Sequence, residues 1–121
     1  MERVKFIEHD GVRILYLDFS AFPNPRDADE HIEKAKLKVA QEPENSVLTI
    51  TNVENTAFDG SMAQALWKLA SHNKPYVKAA TVVGIDGAKA TLLKLVQSMA
   101  RREFQVCKTV DEAKRWLSRR A

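Results

Sequence analysis

The alternation of strand-like and helix-like segments constrains the fold of this chain more than any other feature. Two apolar strand patterns, residues 4–8 and 12–19, flank His9-Asp10-Gly11, and an Asp-Gly pair favours a tight hairpin turn. Beyond the hairpin, amphipathic helix patterns alternate with short runs rich in β-branched residues. Such alternation is typical of α/β domains in which helices connect parallel strands. The sequence predicts a mostly parallel sheet with an antiparallel N-terminal edge strand, in the order β-β-α-β-α-β-α-β-α.

The bounds of the later elements follow from apolar spacing and from turn residues. Two prolines in the connector at residues 22–25 argue against a helix there. The expected elements are helix one from about residue 27, strand three at 46–51, helix two at 60–72, strand four at 77–83, helix three ending near 101–102, strand five at 104–107, and a last helix capped by Thr109 or Asp111. The 121 residues suffice for one core, so residues 1–121 are predicted to form a single domain.

Helix three is predicted to turn one apolar stripe toward the core. The members of this stripe are Ala88, Leu92, Leu95, Val96 and Met99. By the same spacing, Trp67 and Leu93 lie at the flanks of their helices, and Leu37 lies nearly opposite the stripe of helix one. We expect these apolar flanks to offer area to a protein partner or to a homodimer.

The junction at residues 48–62 is the best candidate for a binding or switch site. A buried strand pattern runs into a polar loop, and ligands of α/β sheets bind beyond the carboxyl ends of strands. Asp59 is a natural N-cap for helix two, and Ser61 follows in its first turn. A phosphate on Ser61 would meet free N–H groups there. The alternative is that both residues only begin a helix, as Asp86 is expected to do for helix three.

Composition and motif searches argue against several other functions. With 19 basic and 16 acidic residues the net charge is +3, too balanced to predict nucleic-acid binding. The three histidines lack metal-ligand spacing, and Asp18 and Asp59 have no nucleophile or base nearby, so no metal, cofactor or catalysis is expected. Cys107 lies in an apolar run and is predicted to be a buried thiol. The N-terminus shows no leader or long apolar stretch, which favours a cytoplasmic protein without a membrane span.

Three segments carry a resemblance to a known family: residues 46–53 with 58–62, residues 73–84, and residues 112–117. The chain resembles the STAS-like group, the fold of sulfate-transporter cytoplasmic domains and of anti-sigma-factor antagonists (the SpoIIAA-like family), in particular its bacterial stand-alone members. In regulated antagonists the motif is Asp-Ser-Ser-Gly, and a partner kinase phosphorylates the first serine. Asp59 matches the aspartate, Gly60 stands at the phosphorylated serine, Ser61 matches the second serine, and Met62 replaces the glycine.

The resemblance implies a non-enzymatic regulatory domain that binds a protein partner, with its phospho-switch lost or moved to Ser61. We expect the partner surface to contain Phe58, Asp59, Gly60, Ser61 and Trp67. The alternative is a small-ligand domain that binds a nucleotide or a lipid-like anion between the sheet rim and helix three, where helix N-termini at Gly60 and Gly87 favour negative charge.

Overall fold

A hairpin and three parallel strands form one sheet in the computed structural model, which describes residues 2–22, 25–56 and 59–121. Phe58, a predicted site residue, lies outside the described residues, as do residues 23–24 of the connector. The strands are β1 (Val4–His9), β2 (Val12–Asp18), β3 (Val47–Asn52), β4 (Val77–Val83) and β5 (Gln105–Cys107). The helices are α1 (Asp29–Val39), α2 (Gly60–Asn73), α3 (Gly87–Ala100) and α4 (Val110–Ser118).

The predicted fold class and element order are confirmed. β1 pairs with β2 antiparallel, and β2 through β5 pair parallel in the order β1-β2-β3-β4-β5. Asp10 and Gly11 have φ values of 51° and 78°, the left-handed pair that a two-residue hairpin requires. In the sheet that the structure describes, the strand order never reverses. It therefore has no switch point, the place where α/β sheets usually open a ligand crevice.

The two faces of the sheet are covered unequally. Leu15 and Leu17 of β2 face the larger core, to which α1, α2 and α3 contribute. Ile14 of β2 points to the opposite face, where Ala113 and Leu117 of α4 complete a smaller core. Because successive strand residues alternate between faces, a strand that is apolar throughout must be covered on both sides. The middle of β2 meets that condition, as its sequence predicted.

The connector contains one short helix that the sequence analysis excluded. A 3₁₀ helix at Pro25–Ala28 leads directly into α1. Proline is compatible with the first position of a helix because the missing N–H would have no partner there. The prediction that both prolines forbid a helix was therefore wrong for Pro25. Ala28, the last residue of this turn, is fully buried in the main core.

The predicted core stripe of α3 was right for Val96 but wrong for Leu95 and Met99. Leu93, expected at an exposed flank, is only 3% exposed, and Val96 and Ala100 are buried beside it. Leu95 and Met99, expected in the core, are 51% and 53% exposed. Leu92 is partly buried, and the Ala88 side chain lies outside the described part of the structure. At 100° per residue, the helix is rotated by roughly 80° from the orientation that its densest apolar stripe predicted.

Candidate functional site

Hydrogen bonds to segments on both sides hold the loop that follows β3. The backbone N–H of Val53 donates to the Val83 oxygen at 2.8 Å, and that of Ala21 donates to the Glu54 oxygen at 2.8 Å. The buried hydroxyl of Thr56 accepts from the Phe22 N–H at 3.1 Å. These bonds join the loop to β4 on one side and to the segment after β2 on the other.

Gly84 brings the β3–α2 loop close to the turn before α3. Its φ is +96°, and a Cβ built there would lie 2.5 Å from the Glu54 backbone nitrogen, so only glycine fits this contact. Lys89 reinforces the same contact, because its ammonium donates to the Val53 oxygen at 3.0 Å and to the Gly84 oxygen at 3.2 Å. These contacts hold the β3–α2 loop against the turn before α3.

Asp59 caps α2, as the sequence predicted. Its backbone is extended, with φ −111° and ψ −168°, and its Oδ1 accepts from the Met62 N–H at 3.1 Å. Met62 is fully buried, so the cap also fixes where α2 enters the core. Asp86 occupies the equivalent place before α3, but within the described residues its carboxylate accepts no bond from the helix. Thr109, one of the two predicted caps of the last helix, caps α4 by accepting from the Glu112 N–H at 3.1 Å.

Gly60 and Ser61 are both exposed but face different neighbours. Gly60 has no atom within 4 Å of where a Cβ would lie, so a side chain fits there without displacement. It opens toward α3, whereas Ser61 opens toward α1. The structure therefore places these two predicted site residues on different sides of the first turn of α2, each beside a different groove.

Two grooves flank α2, and their linings differ. The α1–α2 groove has a volume of about 380 Å³, and polar and apolar surface contribute to its lining almost equally. Its lining residues are Asp29, Ile32, Glu33, Lys36, Ser61, Gln64, Ala65 and Lys68. The α2–α3 groove has a volume of about 290 Å³ and is mostly apolar. Its lining residues are Gly60, Ala63, Gln64, Trp67, Leu92, Leu95, Val96 and Met99.

The α2–α3 groove contains functional candidates that the sequence analysis missed. Leu95 and Met99 line it with about half of each side chain exposed. Trp67, predicted at the flank of α2, is partly buried and forms part of the opposite wall. The signal that the sequence analysis missed is the number of apolar residues between positions 92 and 99. There are more of them than one sheet-facing stripe can hold.

Arg102 fixes the far end of the groove. Its Nη1 donates to the Ala70 oxygen at 3.2 Å, and its guanidinium lies 5.0 Å from the centre of the Phe104 ring. Burial lowers the pKa of Arg102 to about 10, because removal from water disfavours the charged form. The guanidinium joins the segment after α3 to the last turn of α2, so both ends of the groove are anchored.

A third cavity of about 600 Å³ lies at the carboxyl ends of β3, β4 and β5. Glu54, Asp86 and Glu112 supply three carboxylates to its lining, against the ammonium groups of Lys89 and Lys108. Lys89 already donates to two carbonyl oxygens. The carboxylates repel negative charge. The cavity therefore favours an anionic ligand less than the sequence analysis expected from the helix N-termini alone.

Buried polar groups near this rim are satisfied internally. The Asn52 amide donates to the Tyr16 hydroxyl at 3.0 Å and accepts from the Glu54 N–H at 3.0 Å. Burial raises the pKa of Tyr16, although the hydrogen bond from Asn52 acts in the opposite direction. Cys107 is buried, as predicted, and burial together with Glu112 raises the pKa of its thiol. A thiol in that state is a poor nucleophile because the reactive thiolate is disfavoured.

Comparisons with known proteins and searches of the described residues add three findings. No family model, no curated protein and no solved structure matches the chain significantly. Among the described residues, no group of three or more His, Cys, Asp or Glu side chains is arranged to hold a metal ion. None of the described helices combines the length and the apolar character needed to cross a membrane.

Proposed function

We propose that this chain is a non-enzymatic regulatory domain that binds a protein partner through the α2–α3 groove and the first turn of α2. The main observation behind the proposal is that Leu95 and Met99, two large apolar side chains, are about half exposed in a mostly apolar groove. A helix that packs on a sheet normally turns its densest apolar stripe inward. Here that stripe lines a surface groove, and contiguous exposed apolar surface marks interaction sites.

Each predicted site residue has a role in this proposal. Asp59 organises the start of α2 through its bond to the Met62 N–H, and Trp67 supplies a rigid apolar wall. Phe58 lies outside the described residues, and its apolar contribution stays a prediction of the sequence. The resemblance to anti-sigma-factor antagonists of the STAS group supports a partner at this junction. Gly60 leaves no hydroxyl where those proteins are phosphorylated, so regulation by phosphate is absent or uses Ser61.

The proposal includes a cytoplasmic location, no cofactor and no nucleic-acid partner. The apolar groove supports a protein partner because nucleic-acid sites depend on many phosphate contacts from basic side chains. A homodimer through Leu37 or Trp67 stays a prediction of the sequence. Leu93, the third residue expected to serve such a contact, is buried in the core and cannot contribute.

Affinity capture from the native cell tests the proposal, with the full chain as bait and the retained proteins identified by mass spectrometry. The test variant is Leu95→Gln with Met99→Gln, which changes only exposed side chains and so preserves the fold. We expect wild type to retain a specific protein and the double variant to lose it.

Leu37→Gln is the matched control, because Leu37 is a 67% exposed leucine on α1, outside the lining of the α2–α3 groove. It should retain the partner at the wild-type level. If no protein is specifically retained, or if the double variant retains the same protein as well as wild type does, the proposal is wrong.

A second candidate function is ligand binding in the 600 Å³ cavity at the carboxyl ends of the strands. The size of this cavity and its position beside the start of α3 favour it, although its three carboxylates do not. A thermal-shift screen with nucleotides and acyl lipids tests it, since a ligand that binds only the folded state raises Tm. Uniform absence of stabilisation would remove this candidate.

A further inference from the structure

A small cavity of about 40 Å³ lies beneath α2 and α3, between these helices and the sheet. It differs from the α2–α3 groove at the surface, although Val96 contributes to the lining of both. Most of its lining is apolar and belongs to the main core. The sheet contributes Leu17 and Val82, and the two helices contribute Leu66, Leu69, Leu93 and Val96.

Polar side chains interrupt this apolar lining, and Asn73 is the most informative of them. Asn73, the last residue of α2, is only 3% exposed. Its amide oxygen lies 2.9 Å from Nδ1 of His72. Within the described residues its amide nitrogen donates to no protein acceptor, yet no fully enclosed side-chain polar atom lacks a partner there. The nitrogen is therefore open to a water-sized molecule.

Arg102 brings a positive charge to the same cavity. A guanidinium has five N–H donors, and the only acceptor that the described residues give it is the Ala70 oxygen. In that same part of the chain Arg102 forms no ion pair. Burial lowers its pKa to about 10, so the group keeps its charge at neutral pH. A largely buried charge normally has a counter-ion, and this one has donors left for an anion.

The size of the cavity limits the anion to a small one. One water needs roughly 10–15 Å³ by the same measure, so the cavity has room for about three or four small atoms. A carboxylate matches the planar fork of a guanidinium, and its alkyl group would contact the apolar wall. Phosphate or sulfate would gain nothing from that wall, and a long acyl chain exceeds the space.

We propose that this cavity binds a short aliphatic monocarboxylate, with the carboxylate accepting from Arg102 and Asn73 and the alkyl group packed between Val82 and Leu93. The inference goes beyond the proposed function and does not depend on it, because neither Leu95 nor Met99 lines the cavity. It gives the domain a small-molecule ligand at the base of the two helices whose outer surfaces form the α2–α3 groove.

Thermal denaturation of the full chain with sodium acetate, propionate, butyrate and octanoate tests the proposal. Propionate should raise Tm by about 5 °C at about ten times its Kd, since it binds only the folded state. Octanoate should raise Tm less because it is too long. Propionamide, a neutral molecule of the same shape, and sodium chloride at equal ionic strength are the controls and should leave Tm unchanged. Equal effects of propionate and propionamide, or no effect of any carboxylate, would mean that water alone fills the cavity, and the proposal would be wrong.

Arg102→Gln tests the role of the charge. It should weaken propionate binding by about tenfold or more, because hydrogen bonds between charged groups are the strong ones. Arg101→Gln is the matched control, since Arg101 is an exposed neighbour outside the lining, and it should bind propionate as wild type does. Calorimetric titration well below Tm measures both affinities. Wild-type affinity in a folded Arg102→Gln variant would contradict the proposal.

Val82→Ile tests the space without touching Arg102, and it keeps the proposal falsifiable if Arg102→Gln does not fold. The substitution adds one methyl group to a side chain that lines the cavity. We expect it to keep or raise Tm, because it fills existing space, and to weaken propionate binding by about fivefold or more. A variant that is as stable as wild type and still binds propionate with wild-type affinity would show that the ligand lies elsewhere.

Nuclear magnetic resonance locates the ligand directly. Saturable addition of propionate should shift the Nε–H signal of Arg102 and the methyl signals of Leu93. The methyl signals of Leu37, which is 67% exposed on α1 and outside the lining, should stay in place. Shifts that leave out both Arg102 and Leu93 would place the binding site outside this cavity and overturn the inference.

Discussion

The two grooves beside α2 share one wall but differ in chemistry, because only the α1–α2 groove contains charged side chains. The α1–α2 groove mixes Asp29 and Glu33 with Lys36 and Lys68, so water and internal charge pairing satisfy it. The α2–α3 groove exposes Leu95 and other apolar side chains, which water does not satisfy. The difference indicates that the α1 side of α2 is ordinary protein surface. Covering the apolar α3 side with a partner would lower the free energy of the complex.

The comparison depends first on which side of α3 faces the sheet, and paired truncations test that orientation. Leu93→Ala should lower the free energy of unfolding by about 2–5 kcal/mol, because it leaves a cavity in the main core. Leu95→Ala should change it by no more than about 0.5 kcal/mol, since half of that side chain is already in water. Urea denaturation followed by circular dichroism measures both. Equal effects would contradict the orientation and, with it, the open groove.

The starts of α2 and α3 give the next largest effect, because only the first is capped by a side chain. Asp59→Ala removes the acceptor of the Met62 N–H and should cost about 1 kcal/mol of stability. Asp86→Ala removes only a favourable charge near the helix N-terminus and should cost about 0.3 kcal/mol. Thermal denaturation of both variants measures the difference. A larger loss of stability for Asp86→Ala than for Asp59→Ala would contradict the conclusion that α2, the helix shared by both grooves, has the stronger N-cap.

The sequence predicted the fold well because its strongest signals are local. The Asp10-Gly11 turn, the β-branched run of β4 and the cap at Asp59 each depend on a few neighbouring residues, and the structure has all three. The orientation of α3 could not be predicted in the same way. Leu92, Leu95 and Met99 form a denser stripe than the buried set does, and only packing against the sheet and α2 decides which set is buried.

The candidate site was predicted in part for the same reason. Asp59 and Trp67 were found because a cap and a helix flank can be identified from spacing alone. Leu95 and Met99 were placed in the core because periodicity assigns the most apolar stripe inward. The separation of Gly60 from Ser61 onto different grooves depends on where α1 and α3 lie, which is tertiary information.

Gly60 offers a smaller effect that tests the open side of the first turn. Gly60→Ser should raise the free energy of unfolding by about 0.5 kcal/mol, because serine loses less backbone entropy than glycine and no atom obstructs its Cβ. The same substitution restores a hydroxyl at the position that the STAS resemblance assigns to the phosphorylated serine. Chemical denaturation measures the change, and a clear loss of stability would contradict the open space at the mouth of the α2–α3 groove.

A negative charge placed on either side of the first turn should affect only the groove that it faces. Gly60→Glu puts a carboxylate at the mouth of the α2–α3 groove and should weaken binding of a partner in that groove roughly twofold, or by about 0.4 kcal/mol, because the partner would remove part of the hydration of the carboxylate. Ser61→Glu puts the same charge among Glu33, Lys36 and Lys68 and should leave that affinity unchanged.

Binding titrations of both variants with the protein retained in affinity capture measure the two affinities. If Ser61→Glu weakened binding as much as Gly60→Glu, the two grooves would not be independent. A phosphate on Ser61 could then act as the switch that Gly60 no longer provides. If only Gly60→Glu is effective, Ser61 modification cannot control the α2–α3 groove by charge, and recognition there is constitutive.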